Sequence, residues 1–218
     1  MLAAMPQNPE PTLSPHYYLD NFHRLCSSVE DQYGDVLVQE ELELLAEFRA
    51  LSLCSRCLYV RLISRTGPWF RESKLQYAEI DALTSALDEL LNKGFVREAV
   101  ELSITEAAAL FTFAELSAAF AFEVDAKKRS TKKQLIEQLQ SADPTGEEIL
   151  SIVASIDSQR IITPQNSDFV DLLQLLFFGN RHQSLTEFVL DDMGVLQYFP
   201  YEVDRNHRQF SNRDAVNE

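Results

Sequence analysis

Leu83-Thr84-Ser85-Ala86-Leu87-Asp88-Glu89-Leu90-Leu91-Asn92-Lys93-Gly94-Phe95-Val96-Arg97 carries the signals of a helix, its end and a following strand. Leu83, Leu87, Leu90 and Leu91 recur at three- and four-residue spacing, the period of a helix with one buried stripe. Asp81 stands just ahead and is expected to cap that helix. Gly94 can take the left-handed conformation that ends a helix, after which Phe95-Val96-Arg97 returns as a strand.

Working outward, Trp69-Phe70-Arg71 reads as a second short strand, set off by Gly67-Pro68. A helix is expected from Leu53 to Ser64 on the strength of Leu58 and Leu62. Another is expected from Val38 to Ala50, with Leu42, Leu45 and Phe48 opposite Glu40, Glu41, Glu43 and Glu47. Tyr18, Phe22, Leu25 and Val29 mark a further amphipathic helix from Tyr17 to Tyr33. Helix, helix, strand, helix, strand is the order of a winged helix, a helix-turn-helix variant. The predicted class is therefore mainly α: a winged-helix-like domain with a short β-hairpin over residues 17–105. Residues 1–16, with Pro6, Pro9, Pro11 and Pro15, are expected to form a frayed tail.

Downstream, residues 112–142 read as two short helices joined by a polar break. Phe113, Leu116 and Phe120 mark the first, Leu135, Ile136 and Leu139 the second. The break carries Lys127, Lys128, Arg129, Lys132 and Lys133, five of the 19 cationic side chains, in a chain of net charge -15. Ser130 or Thr131 can cap the second helix, which would aim its free N–H groups and positive dipole end toward the same side as the lysines. Helix pair and basic connection match the plan of a SAP module, a small DNA-binding unit, and a helix N-terminus beside lysines suits phosphate. Residues 145–204 should hold further helices: Glu147 to Ser155, an irregular linker through Thr163-Pro164, then Phe169 to Phe178 and Leu185 to Asp192. Residues 205–218 read as a polar tail in which Ser211 could cap a helix.

Composition bounds these readings. At 218 residues and 45% apolar, the chain can build a sizeable core. The sequence pI of about 4.6 argues against a general nucleic-acid coat and for one focused cationic surface. Three Cys make no disulfide framework and suit a reducing compartment. No stretch reads as a signal peptide or is long and apolar enough to span a bilayer. A cytoplasmic location, nucleoid-associated in a bacterium, is expected.

Several stretches together resemble the N-terminal region of the Fanconi-associated nuclease family, whose members carry a VRR-NUC catalytic domain of phosphodiesterase I type. They are Tyr17-Tyr18-Leu19 with Phe22, Phe48-Arg49-Ala50-Leu51-Ser52, Leu58-Tyr59-Val60-Arg61-Leu62, Trp69, Lys74-Leu75 and Tyr77-Ala78-Glu79-Ile80. Leu90 with Gly94-Phe95, Phe178-Gly179-Asn180, Gln183-Ser184-Leu185-Thr186-Glu187-Phe188-Val189, Asp192-Met193-Gly194 and Tyr198 continue the series. The resemblance implies a DNA-repair role: cutting of branched or 5′-flapped DNA, with Mg²⁺ or Mn²⁺ in the full-length proteins. In the family the Asp…Glu-x-Lys metal site lies C-terminal to the region these stretches match, so no such site is read among them. The expectation is a DNA-binding front part, inactive as a nuclease by itself, whose partners are double-stranded or branched DNA and a C-terminal nuclease domain.

Candidate DNA contacts are Lys127, Lys128, Arg129, Lys132 and Lys133, followed by a sparser set of Arg61, Arg65, Arg71 and Lys74. The plainer reading of the first group is a solvated loop, and of the second, surface pairs with the acidic helix from Glu40 to Glu47. Trp69 could stack on an unpaired base, though a single Trp in a short strand more often belongs to the core. His23 with Cys26, and Cys54 with Cys57, have a three-residue spacing that zinc sites use, but without a matching second pair buried thiols are the default. No nucleophile–base arrangement stands out, so no catalytic residue is assigned. Two other functions compete: a stand-alone winged-helix transcription regulator, and a protein-interaction fragment whose Phe177, Phe178 and Leu185 to Val189 pack on another chain.

Overall fold

The computed structural model describes residues 14–99, 102–119, 131–142, 151, 156, 160–180, 183, 185–190 and 208–217. The expected N-terminal tail up to residue 13, most of the helix from Glu147 to Ser155, and the cations Lys127, Lys128 and Arg129 lie outside them. The elements in chain order are α1 (Tyr17–Tyr33), α2 (Gln39–Ala50), α3 (Leu53–Ile63), β1 (Phe70–Arg71), a 3-10 turn (Glu72–Lys74), α4 (Leu83–Asn92) and β2 (Val96–Glu98). They continue with α5 (Ile104–Leu110), α6 (Phe113–Ala119), α7 (Lys132–Ala142), β3 (Ile161–Pro164), α8 (Ser167–Phe178), α9 (Leu185–Leu190) and α10 (Arg213–Asn217). The mainly α class holds.

The chain folds as two compact units, residues 1–64 with 168–218 and residues 65–167. This division cuts across the expected domain at 17–105. In the first unit, α1 buries Tyr18, Leu19, Phe22, Leu25, Cys26, Val29 and Tyr33, the apolar stripe its spacing announced. Phe22 meets Phe48 edge-on at 5.3 Å between ring centres, and Phe48 lies 5.9 Å from Tyr59, which joins α1, α2 and α3. Ser52 caps α3 by accepting the Ser55 N–H at 3.3 Å. On the other side of α1, Asn21 donates to the Val189 carbonyl of α9 at 3.3 Å.

The second unit is built on a three-stranded antiparallel sheet in the order β1-β3-β2. The expected hairpin between the 69–71 and 95–97 strands therefore does not close. Each pairs instead with β3, which the sequence reading had placed in an irregular linker. The β-branched run Ile161-Ile162-Thr163 supplies that central strand. Pro164 cannot donate, but Gln165 carries the ladder one step further by donating to the Phe95 carbonyl at 2.8 Å. Two- and three-residue strands cannot hold each other alone, and the shared partner gives both a ladder.

Strand alternation sorts the sheet into two faces. Phe70, Ile162 and Val96 share one face and are buried. Arg71, Ile161, Thr163, Arg97 and Ala99 share the other, toward a core of Leu102, Ile104, Ala107, Ala108, Phe111, Leu116, Leu135 and Leu139. That core includes α5, a helix not anticipated between the two expected modules. Gly94 ends α4 at φ 74, as expected, but the N-cap of α4 falls on Ala82 and not on Asp81.

The C-terminal segment also departs from the polar tail expected. Asn212, not Ser211, caps α10, its side-chain oxygen accepting the Ala215 N–H at 3.0 Å. Arg213 grips Glu41 through both nitrogens at 2.9 and 2.8 Å, Arg208 pairs with Asp35, and Val216 is buried. Two arginines on carboxyl groups of α2 and of the turn before it, together with the buried Val216, hold this polar sequence in place.

Candidate nucleic-acid interface

The second unit positions its cations with three reciprocal helix caps. Ser103 accepts the Glu106 N–H at 3.2 Å while the Glu106 carboxylate accepts the Ser103 N–H at 2.9 Å. Thr112 and Glu115 repeat the arrangement at 3.2 and 2.8 Å. Thr131 and Gln134 do so at the start of α7, at 3.3 and 2.9 Å. Each satisfies two of the donors a helix start leaves open. The signature Ser or Thr, two residues, then Glu or Gln is visible in all three places in the sequence; read at Ser103, it would have found α5.

With Leu135 and Leu139 turned into the core, Lys133 is exposed and Lys132 partly so, in the first turn of α7. Neither makes an ion pair with another described residue. Of the two alternatives for the cap, Thr131 takes the role.

The sparser cationic set divides by environment. In the first unit, the Arg61 guanidinium lies 3.9 Å from the centre of the Tyr18 ring. In the second, Arg65 is exposed, donates to the Tyr77 hydroxyl at 3.1 Å and lies over Phe70 at 5.2 Å. Arg71 is only 6% exposed: it bonds Glu115 at 2.9 Å and stacks on Phe111 at 4.1 Å, so its donors face the protein and not solvent. Lys74 is exposed, with the same Glu115 at 3.7 Å.

Trp69 is half-buried against the core of α5–α7, and its indole N–H donates to Glu106 at 2.9 Å. Arg97, which nothing in the spacing singled out, lies over the Trp69 ring at 5.1 Å. Only the strand register brings these two residues together.

The sulfur and imidazole groups follow a different logic. Burial pushes the Cys26 thiol up to about 12, and Cys57 is buried as well. Burial, then the neighbouring charges of Arg56 and Arg49, holds His23 below its ordinary value. A neutral His23 can accept from Arg56, 3.2 Å away. Among the described residues, no group of three or more His, Cys, Asp or Glu could hold a metal ion.

A family model described as the FAN1 HTH domain matches residues 16–97. The chain is 32% identical to the Fanconi-associated nuclease 1 homolog of Pseudomonas aeruginosa across 98% of its own length and 38% of the relative's. It is 31% identical to the Arabidopsis thaliana homolog across 94% of the chain and 24% of that relative. The chain thus spans well under half the length of these relatives. Among solved structures, paFAN1 bound to DNA with a two-nucleotide 5′ flap and a gap superposes with a TM-score of 0.81 at 31% identity, over 97% of this chain and 38% of that one. A helix-turn-helix match thus lies inside a similarity to Fanconi-associated nuclease 1 homologs that runs almost end to end along this chain and takes in only part of theirs.

Proposed function

We propose that these 218 residues are the DNA-binding part of a structure-specific repair nuclease that engages branched, 5′-flapped DNA. One observation carries the reading: the chain shares its fold, over 97% of its length, with a relative solved on 5′-flap DNA. The cation placement supports it. Lys132 and Lys133 stand at a capped helix start with no carboxylate partner among the described residues, the arrangement a phosphate needs. Residues 112–142 act as the SAP-like grip, to whose charge Lys127, Lys128 and Arg129 contribute.

The work of these residues is to bind and orient. Cutting, with the Mg²⁺ or Mn²⁺ that the family resemblance implies, is assigned to the C-terminal nuclease domain of the full-length proteins. The test is a competition between a 5′-flap substrate and linear duplex of equal length, in excess competitor DNA. A clear preference for the flap is expected, and equal affinity would contradict a junction role.

A further inference from the structure

Four arginines of the second unit are described, and they fall into two classes. Arg71 is engaged by Glu115, and Arg160 by Glu72 at 2.8 Å and by Asp88. Arg65 and Arg97 have no carboxylate partner among the described residues. Each is exposed and rests on an aromatic ring, Arg65 over Phe70 and Arg97 over Trp69. In a chain of net charge -15, an exposed guanidinium without a counter-charge is a notable placement.

The two rings belong to consecutive residues, so their Cα atoms are about 3.8 Å apart. Consecutive strand side chains point to opposite faces. Trp69 stands just ahead of β1 and Phe70 is its first residue, so Arg97, reaching Trp69 from β2, and Arg65, over Phe70, stack on opposite faces of the sheet at its β1 edge. Neither ring is free to swing away. Phe70 is buried, and Trp69 is pinned by Glu106, whose carboxylate also takes both Ser103 donors. Stacked arginine is held in one orientation before a ligand arrives, which lowers the entropy lost on binding. Its planar fork suits phosphate oxygens.

We propose that Arg65 and Arg97 form a two-guanidinium clamp for the sugar–phosphate backbone of DNA, astride the start of β1. This rests on the DNA-binding reading above. Arg71, two residues along the same strand, contributes nothing to it because Glu115 already holds it. Glu98, next to Arg97, lies on the opposite sheet face.

Trp69 is the chain's single tryptophan, so its emission reports on the Arg97 site alone. The experiment titrates the full chain with unlabelled 5′-flap DNA at several salt concentrations, following affinity by gel shift and binding at the clamp by Trp69 emission. R97A and R65A should each bind about tenfold more weakly at low salt and lower the salt slope by about one. DNA should change the emission of the wild type and not of R97A. R97K, which keeps the charge but not the fork, should lose affinity severalfold at an unchanged slope, and it serves if R97A lowers the thermal midpoint. Inorganic phosphate at matched ionic strength should change the emission far less than DNA does at equal phosphate concentration; an equal response to free phosphate would overturn the backbone assignment. Wild-type binding with R97A and R65A indistinguishable from it would overturn the clamp and leave the DNA-binding reading standing. So would an equal loss in K93A, an exposed lysine at the end of α4. Wild type that fails to bind any DNA removes both.

Discussion

Arg71 bonds Glu115 at 2.9 Å while its guanidinium stacks 4.1 Å from the centre of the Phe111 ring. Strand β1 and the start of helix α6 are tied together through these contacts. Glu115 also caps α6, so one carboxylate both starts a helix and neutralises a buried arginine. Arginine in this position therefore serves the fold of the second unit.

Removing Arg71 leaves Glu115 with only the exposed Lys74, at 3.7 Å, and opens a gap over Phe111. Arg71→Ala should cost about 2–4 kcal/mol in urea unfolding, the range for breaking a buried pair lowered for the quarter exposure of Glu115. DNA affinity measured on the folded fraction should stay within twofold. A variant as stable as wild type but defective in binding would reverse the assignment.

Two cap carboxylates make the second unit acid-sensitive. Hydrogen bonds from the Ser103 hydroxyl, the Trp69 indole and the Ser103 N–H hold Glu106 down to about 2. The Thr112 N–H and then Arg71 hold Glu115 at about 2 as well. Both lie below the unfolded value of about 4.3, so their contribution is complete above that pH and is lost as pH falls toward 2. The urea midpoint should fall steadily between pH 5 and pH 2.5. In the double variant Glu106→Gln, Glu115→Gln that dependence should flatten.

The central strand carries its own test. Ile162 is fully buried between β1 and β2, so Ile162→Ala should destabilise by about 2–5 kcal/mol. A cost under about 1 kcal/mol would fit an irregular linker and not the middle of a sheet.

The C-terminal segment offers a fourth. Arg213→Ala alone should cost about 0.5–1 kcal/mol, since its pair with Glu41 is partly exposed. Ending the chain at residue 207 also removes Arg208 and the buried Val216, and should lower the thermal midpoint of the first unit by several degrees. An unchanged midpoint would return this segment to the polar tail its composition suggests.

Helical periodicity made α1 and α2 legible to within a residue or so, because their buried residues recur at helical spacing; α3, buried at four consecutive residues from Cys57 to Val60, was legible from Leu58 and Leu62. Gly94 was legible for a local reason, the left-handed turn after α4. The sheet was not, because β3 lies more than 60 residues beyond β2 in sequence, and pairing over such a distance leaves no periodic mark. Of the DNA-contact candidates, Lys132 and Lys133 stand where the capping argument placed them. Arg71 does not face solvent, because Glu115 and Phe111 reach it from a helix whose position no spacing reveals. Arg97 became visible only through the register that sets it beside Trp69.

Under the proposed function, a few oriented cations on an acidic chain dock the DNA backbone. The most direct test is the salt dependence of 5′-flap binding for the wild type and for a variant with Lys127, Lys128, Lys132 and Lys133 all changed to Glu. The prediction is a steep fall of log affinity with log salt in the wild type, and both a weaker and a flatter dependence in the variant. Equal affinity and equal slope for the two proteins at low salt would contradict it.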